Sequence, residues 1–353
     1  MSQFEQHLHR WFARDVKSSA VNFLSEYQFA LGTDIGSRRS QNQDRVAALH
    51  SGINSRNPIF AFAVVDGMGG MQDGAECANI AISGFFFSLL QNRHLPFLER
   101  CRQSVIYANN SVANFANQNG GATLSAIVFD KQHPPALVHV GDSRIFTYGN
   151  GQKLSRKTTD DSLQEALGGS GRELLQFVGM GDSIAPKVEF LSYDAPNCFI
   201  STDGIHCIDE STLSDVLSNA QDFKQTTERL IAIARWIGGR DNATSALFNI
   251  DKIASYLSKA NDHGIRIWDP FGELTTQWLK SDDPPQKQKV QEDEDNKPDN
   301  VDGIDEVINS RRPKKQYKRK QNKKSNENGK SSVQLKIEMD GGDKDEKENN
   351  DSE

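Results

Sequence analysis

An apolar run that ends in a carboxylate and three glycines occupies residues 60–70: Phe60-Ala61-Phe62-Ala63-Val64-Val65-Asp66-Gly67-Met68-Gly69-Gly70. Its valine and aromatic side chains suit a packed, pleated surface, so the run predicts a buried strand. The glycines allow a sharp turn and a close approach to the backbone. An aspartate held at the end of such a strand is a suitable ligand for a hard metal ion, which prefers carboxylate and carbonyl oxygens.

Two further aspartates stand beside a small residue at an expected strand end. Asp203-Gly204 follows the apolar run 199–202, and Asp241-Asn242 begins the run that ends at Ile250. Converging carboxylates repel one another, and a pair of divalent cations would remove that repulsion. Spacing alone leaves two interpretations open, which are a metal centre and three unrelated strand-end turns.

The alternation of strand and helix signals predicts an α+β fold. We expect strands at 29–33, 45–49, 58–66, 122–130, 136–140, 144–148, 198–202 and 242–250, and helices at 75–91, 96–117, 211–220 and 222–236. Hairpin-like pairs of strands alternate with pairs of helices. This order favours antiparallel sheets with segregated helices over a doubly wound parallel sheet.

Composition separates a globular part from a charged end. Apolar content collapses from about residue 281, and a segment so polar cannot bury enough surface to offset its ordering entropy, so 281–353 is expected to be a disordered charged tail. Nine Lys or Arg residues lie within 311–324, between acidic stretches. A solvated linker and a docking patch both remain open for this block, while its acidic flanks disfavour nucleic-acid binding.

The globular part carries an apolar segment at each end. Residues 1–27 place apolar side chains at partly helical spacing, which predicts an N-terminal helical extension. Residues 256–280 form an apolar C-terminal extension, in which 264–274 holds two aromatic and three branched aliphatic residues. We expect this extension to pack on the domain, and a linear docking motif for a partner is the alternative.

The cysteines and the termini bear on the location of the protein. The four cysteines (Cys77, Cys101, Cys198 and Cys207) form no CxxC pair, and no His stands at a zinc-like spacing from them, so we expect reduced core residues. The N-terminus has no apolar signal region and no run is long enough to cross a bilayer. We therefore expect a cytoplasmic protein without a membrane partner.

Seven motifs in one order carry a family resemblance. They are Thr33-Asp34-Ile35-Gly36 through Arg39 to Asn42-Gln43-Asp44, Val65-Asp66-Gly67-Met68-Gly69-Gly70, Gly121-Ala122-Thr123, Val140-Gly141-Asp142-Ser143-Arg144, Asp160-Asp161-Ser162, Ser201-Thr202-Asp203-Gly204 and Gly239-Arg240-Asp241-Asn242-Ala243-Thr244. Each is weak alone, but the set resembles the metal-dependent protein phosphatase family, the type 2C serine/threonine phosphatases, in its short bacterial form.

The resemblance implies both an architecture and a metal centre. Residues 28–255 would form the phosphatase domain, a four-layer α-β-β-α sandwich of two antiparallel sheets flanked by helices. Asp66 would bridge two Mn²⁺ or Mg²⁺ ions, and the Gly67 carbonyl would bind one of them. Asp203 and Asp241 would complete the other ion's ligands.

Further roles follow from the resemblance by position. Asp44 would support metal-bound waters, and Arg39, with its planar fork, would bind the substrate phosphate. Asp160 would help to hold a third, weaker metal ion. We expect Asp142 and Arg144 to form a buried pair that holds the strands around the site.

The implied reaction is hydrolysis of phosphoserine and phosphothreonine in proteins by attack of a metal-bridging hydroxide, opposing a Ser/Thr kinase in bacterial signalling. A regulatory pseudo-phosphatase or adaptor is the alternative, and a nucleic-acid-associated protein acting through 311–324 is a third hypothesis. No aspartate that the reaction needs is missing from the sequence, which favours the enzyme.

Three departures from the family pattern bear on the mechanism. Gln43 stands where many relatives have Glu, and its amide brings no charge, so one metal ion is expected to bind more weakly. Met68 stands where animal members have a His proposed as general acid. Gly168-Gly169-Ser170-Gly171 predicts a short, mobile loop in place of a longer flap.

Overall fold

The computed structural model describes residues 2–52, 57–68, 73–117, 119–149, 152–168, 173–259 and 264–277. All of them fall within one compact unit, Met1–Pro284. The charged tail expected at 281–353 lies outside the described residues, as do Gly69, Gly70 and most of the glycine-rich loop after Gly168.

The described residues form thirteen strands and eight helices. The strands are β1 (Ser19–Leu24), β2 (Phe29–Asp34), β3 (Asp44–Ser51), β4 (Ile59–Asp66), β5 (Leu124–Phe129), β6 (Ala136–Val140), β7 (Arg144–Gly149), β8 (Gln152–Arg156), β9 (Lys187–Phe190), β10 (Asn197–Ser201), β11 (Ala243–Asn249), β12 (Gly264–Asp269) and β13 (Gly272–Gln277). The helices are α1 (Gln3–Phe12), α2 (Gly74–Gln91), α3 (Phe97–Ala116), α4 (Leu163–Leu167), α5 (Asp203–His206), α6 (Glu210–Asn219), α7 (Phe223–Trp236) and α8 (Ile250–Lys259).

The strands pair antiparallel in two sheets. One sheet has six strands in the order β1-β2-β11-β10-β7-β8, and the other has seven in the order β13-β12-β3-β4-β5-β6-β9. The signal for a final strand at 242–250 is confirmed for β11, but α8 begins at Ile250 and two more strands follow it. Strand β9 was not predicted, because four residues carry too little pattern.

Strand β4 shows why the apolar run builds a sandwich. Its side chains alternate between the two faces of the sheet. Phe60, Phe62 and Val64 pack in the core between the two sheets. Ala61 and Ala63 lie on the opposite face, in the core that also contains residues of α2 and α3. Large side chains thus fill the space between the sheets, while small ones let helices approach closely.

Three apolar cores separate four layers. The first lies between the seven-stranded sheet and helices α2 and α3, and the second lies between the sheets. The third lies between the six-stranded sheet and helices α5, α6 and α7. The expected α-β-β-α sandwich is confirmed.

The terminal segments belong to the sheets. Residues 1–27 are only partly helical, because β1 follows α1 and pairs with β2 along its whole length. A domain boundary at residue 28 would cut this hairpin. In the C-terminal extension, β12 pairs with β3 and β13 pairs with β12, so the packing interpretation of 264–274 is confirmed. The boundary expected at residue 255 falls inside α8.

A side-chain clasp joins the two terminal segments. The Arg14 guanidinium pairs with Asp269 at 2.6 Å, and the Asn22 amide donates to the Asp269 carbonyl at 2.8 Å. Arg14 also lies 3.6 Å above the Trp11 ring. These contacts fix the turn after β12 against the start of the chain.

The cysteine expectation holds for three of the four positions. Cys77, Cys101 and Cys198 are free and buried, whereas Cys207 is free and exposed. Within the parts of the chain that the structure describes, no helix has the length and apolar character needed to cross a membrane.

Trp268 offers a test of the C-terminal hairpin. It is 1 % exposed and stacks on Phe60 with ring centroids 5.9 Å apart. Trp268→Ala should lower the free energy of unfolding by about 3–5 kcal/mol, because the indole leaves a cavity. Trp236→Ala is the matched control, since Trp236 is 86 % exposed, and it should change stability by less than about 0.5 kcal/mol. Urea unfolding measures both, and equal effects would contradict the placement of the hairpin.

Candidate metal centre

Asp44 and Asp66 form one rung at the end of two neighbouring strands. They are directly paired in the antiparallel register of β3 and β4. Asp44 is 3 % exposed, and its Oδ2 accepts a hydrogen bond from the Thr202 hydroxyl at 2.9 Å. Side chains of directly opposed residues lie on the same face of a sheet, so the rung places two carboxylates together.

Backbone contacts fix the position of Asp66 and Gly67. The Asp66 amide donates to the Thr123 hydroxyl at 3.0 Å, and the Thr123 amide donates to the Asp66 carbonyl at 2.8 Å. The Gly67 amide donates to the Gln43 carbonyl at 3.1 Å. A Cβ on Gly67 would lie 2.2 Å from the Gly74 carbonyl oxygen. Residue 67 must therefore be glycine, because the start of α2 packs directly against it.

Asp203 and Asp241 come from the six-stranded sheet. Asp203 begins α5 directly after β10, and Asp241 lies two residues before β11. A Cβ on Gly204 would lie 1.9 Å from the Asn242 carbonyl oxygen. The two aspartate loops are thus in contact, and the small residue beside Asp203 is required by packing.

Asn242 connects these loops to the loop that carries Arg39. Its amide nitrogen donates to the carbonyls of Ile35 (2.9 Å) and Gln41 (3.1 Å). Its amide oxygen accepts from the Gln43 backbone at 2.8 Å. Asn242 stands in the last sequence motif, for which only Asp241 was assigned a role. Its small size beside Asp241 was the only local signal.

Arg39 lies at the carboxylates. Its Nη2 donates to Asp241 Oδ2 at 2.6 Å, with both side chains about one-third exposed (38 % and 33 %). This hydrogen bond raises the pKa of Arg39, and the charges of Asp203 and Asp66 act in the same direction. A half-exposed guanidinium next to the aspartates can reach an anion that enters from solvent.

The electrostatics show that the carboxylates converge. Burial raises the pKa of Asp66 well above its usual range, and the charges of Asp44, Asp203, Asp142 and Asp241 raise it further. Burial also raises the pKa of Asp44 to about 6, against hydrogen bonds from Thr244 and Thr202 that lower it. Where such acids are partly buried together, their charges need to be offset by protons or cations.

The chemistry of this donor set fits hard divalent cations, which take carboxylate and carbonyl oxygens. Among the described His, Cys, Asp and Glu side chains, no three are placed so that they could hold one ion. Backbone oxygen and water would have to complete the ligands, and the Arg39 guanidinium offsets the charge of Asp241 in the present conformation.

Asp160 lies between two arginine side chains. Arg144 contacts both of its carboxylate oxygens, through Nε at 3.2 Å and 3.1 Å and through Nη2 at 2.7 Å. Arg156 Nη2 lies 2.6 Å from its Oδ1. Two guanidiniums therefore occupy the carboxylate that was assigned to a third metal ion.

The expected pair of Asp142 and Arg144 is wrong, because the guanidinium hydrogen bonds of Arg144 go to Asp160. Asp142 instead contributes to the raised pKa of Asp66. Burial raises the pKa of Asp142 itself, as does the charge of Asp160. Asp142 is thus an acid of the centre that sequence reasoning missed, since adjacency in the chain suggested Arg144 as its partner.

The segment after Asp161 is compact where it is described. The Leu175 amide donates to the Asp161 carbonyl at 2.8 Å, and the Leu163 amide donates to the Glu173 carbonyl at 2.9 Å. These bonds hold 173–175 against 161–163.

A cavity of about 510 Å³ lies behind Asp44. Its walls come from 12–18, 40–46, the start of α2 and the turn 269–271. The terminal segments therefore reach the surroundings of the rung between Asp44 and Asp66.

Comparisons with known proteins agree with this geometry. The family model "Protein phosphatase 2C" matches residues 31–242, which is more than half of the chain. Protein phosphatase PhpP of Streptococcus pneumoniae is 24 % identical over 249 residues, covering 64 % of this chain and 98 % of that protein.

Solved structures show the same fold. A PPM Ser-Thr phosphatase, MsPP from Mycobacterium smegmatis in complex with cacodylate, has a TM-score of 0.53 and 25 % identity, covering 67 % of this chain and 99 % of that one. The catalytic domain of the serine threonine protein phosphatase PstP in complex with two manganese ions has a TM-score of 0.52 and 24 % identity, covering 65 % and 98 %. With a family model across both aspartate-bearing sheets, this chain belongs to the protein phosphatase 2C family of protein-serine/threonine phosphatases.

Proposed function

We propose that this phosphatase hydrolyses phosphoserine and phosphothreonine in proteins with two divalent cations, Mn²⁺ or Mg²⁺, and that it opposes a Ser/Thr kinase. One observation carries the proposal, which is the grouping of acids around Asp66, whose pKa is raised by burial and then by the charges of Asp44, Asp203, Asp142 and Asp241. A binding protein without turnover has no need for such an arrangement, so the adaptor alternative is not favoured.

The residues divide the work between metal and substrate. Asp66, on which the charges of four other aspartates act, would hold both ions, and the Gly67 carbonyl would help to hold one of them. Asp203 and Asp241 would hold the other, and Asp44 would accept hydrogen bonds from water near them. When bound, the two cations supply a hydroxide-like water and offset negative charge on phosphate oxygens.

Arg39 is proposed to exchange partners during binding. Its guanidinium now offsets Asp241, and a divalent cation on Asp241 would leave it available for two oxygens of the substrate phosphate. Asn242 holds the loop of Arg39 at the right distance throughout, because its hydrogen bonds run to backbone groups on both sides of Arg39.

The leaving group has no histidine acid at the position expected from animal relatives. Met68 occupies it, with its backbone amide bonded to the Gly121 carbonyl at 3.0 Å. We propose that water protonates the departing alkoxide. Asp160 is omitted from the proposed metal ligands, because its two arginine partners would have to be displaced first.

Chelation tests the requirement for metal. Hydrolysis of p-nitrophenyl phosphate and of phosphothreonine peptides should be lost in EDTA and restored by Mn²⁺ or Mg²⁺. Asp66→Asn should remain folded and lose at least about 100-fold in kcat, since electrostatic stabilisation of this kind is worth several kcal/mol. The mechanism would be overturned if activity persisted after exhaustive chelation, or if Asp66→Asn kept its activity.

The pKa of Asp44 predicts a pH effect on the metal-free protein. The folded state keeps the Asp44 proton up to a pH of about 6, whereas an unfolded aspartate releases it near pH 4. Stability must therefore fall as the pH rises through this window. In EDTA at pH 7.5, Asp44→Asn should raise the free energy of unfolding on the order of 2 kcal/mol, because the neutral amide removes a buried charge.

Denaturant unfolding at two pH values measures this effect. At pH 4.5 the wild-type side chain is already protonated in the folded state, but an unfolded aspartate is still mostly ionised there, so the gain from Asp44→Asn should shrink to roughly 1 kcal/mol. Asp209→Asn is the matched control, since Asp209 is an exposed helix cap whose pKa is lowered to about 2, and it should not stabilise the protein at either pH. A gain from Asp44→Asn that is equal at both pH values would refute the assignment.

Arg39 can be tested through the phosphate. Arg39→Ala should raise KM for phosphopeptides and the Ki of inorganic phosphate about 30-fold or more, since a hydrogen bond to a charged group is worth about 1.5–3 kcal/mol. Arg39→Lys should keep only part of the wild-type affinity for phosphate, because a point charge replaces the two-pronged contact of the guanidinium. A loss confined to Mn²⁺ affinity would instead place Arg39 with the metal alone.

A further inference from the structure

Trp236 is the most exposed large apolar side chain in the described part of the molecule, at 86 %, and its neighbour Ile237 is 42 % exposed. Tryptophan is a large and mostly buried residue. An indole in water at the end of a helix contributes nothing to the packing of this fold. It offers a large contact area with little conformational entropy to lose.

The end of α7 is fixed at the edge of the sandwich where the metal centre lies. Arg235 Nε pairs with Asp34 Oδ1 at 2.9 Å. Asp34 is the last residue of β2 and pairs in register with Ala243, the first residue of β11. Arg235, the residue before Trp236, is thus bonded to a residue that pairs with Ala243, and Ala243 is only two positions after Asp241.

The turn after Trp236 leads directly into the catalytic loops. Gly238 and Gly239 take positive φ angles of 125° and 51°, which suit glycine. The Gly239 carbonyl then accepts from the Ser37 backbone at 2.8 Å, next to the loop of Arg39. Five residues span at most about 18 Å, and this turn shortens the path. Trp236 therefore lies within the reach of a peptide whose phosphate sits at Arg39.

We propose that Trp236, together with Ile237, contacts an apolar side chain of the protein substrate about three to five residues from the phosphorylated one. An extended chain advances about 3.3 Å per residue, so such a residue spans the distance from the phosphate to the indole. This inference rests on the proposed function. The occupant is the substrate chain, because Trp236 lies five residues before Asp241 and the intervening turn is hydrogen-bonded to Ser37, two residues from Arg39.

Two phosphothreonine peptides of equal length and charge test the proposal. One carries Leu at positions three to five on both sides of the phosphothreonine, and the other carries Ser there. The wild-type enzyme should favour the Leu peptide about 10-fold in kcat/KM, which corresponds to about 1.4 kcal/mol. In Trp236→Ser the preference for the Leu peptide should fall below about 2-fold, which is near the smallest difference that such measurements resolve.

p-Nitrophenyl phosphate serves as the internal reference, because it is too small to reach from the phosphate site to Trp236. Phe190→Ser is the matched control variant. Phe190 is another exposed aromatic residue, at 43 %. It pairs with Ala136 at the start of β6, and the opposite end of β6 leads to Gly141 and Asp142. It should keep the full Leu preference.

The outcomes separate the two proposals. A wild-type enzyme with no Leu preference, a Trp236→Ser variant that keeps it, or an equal loss on p-nitrophenyl phosphate would each overturn the role of Trp236. A wild-type enzyme that hydrolyses none of the three compounds with Mn²⁺ would overturn the proposed function instead. Loss of preference in Trp236→Ser alone would support the contact.

Discussion

Repulsion between buried carboxylates is the constraint around which this molecule is organised. Asp44 and Asp66 face each other on adjacent strands, and Asp203 and Asp241 approach from the other sheet. Such a cluster opposes folding until cations or protons neutralise it. The surrounding backbone therefore has to be rigid, and closely packed glycines and short loop-to-loop hydrogen bonds provide that rigidity. Divalent cations that bind only the folded state should stabilise it by an amount that rises with the logarithm of their concentration above Kd.

The two sheets contribute acids through different devices. The seven-stranded sheet offers a regular rung, so its two aspartates are fixed by strand register. The six-stranded sheet offers loops, and these depend on Asn242, whose side chain bonds three backbone groups. Arg39 lies on one of those loops, and its partly exposed guanidinium pairs with Asp241. A rigid loop with a long charged side chain would let the guanidinium change partners, as proposed, without moving the backbone.

Local patterns predicted the elements with strong local signals and missed those set by distant contacts. The run 60–65 and the aspartates at strand ends could be read directly, because strand β4 is buried on both faces and glycines mark its end. Strand β1 could not, since every one of its residues is only half-buried and no alternation shows. The pairing of Arg144 with Asp160 spans sixteen residues, and the nearer Asp142 was the obvious but wrong partner.

The terminal segments explain why the family-matched region is not the whole fold. Residues 31–242 exclude β1, β11, β12 and β13. Without β1, the fully buried β2 would become an edge strand, and without β12 the same would hold for β3. Exposed apolar edges invite pairing with other chains. The ion pair between Arg14 and Asp269 joins the N-terminal and C-terminal segments that cover these edges. Both of its residues line the same cavity as Asp44, so the segments that cover the two sheets are held together beside the metal centre.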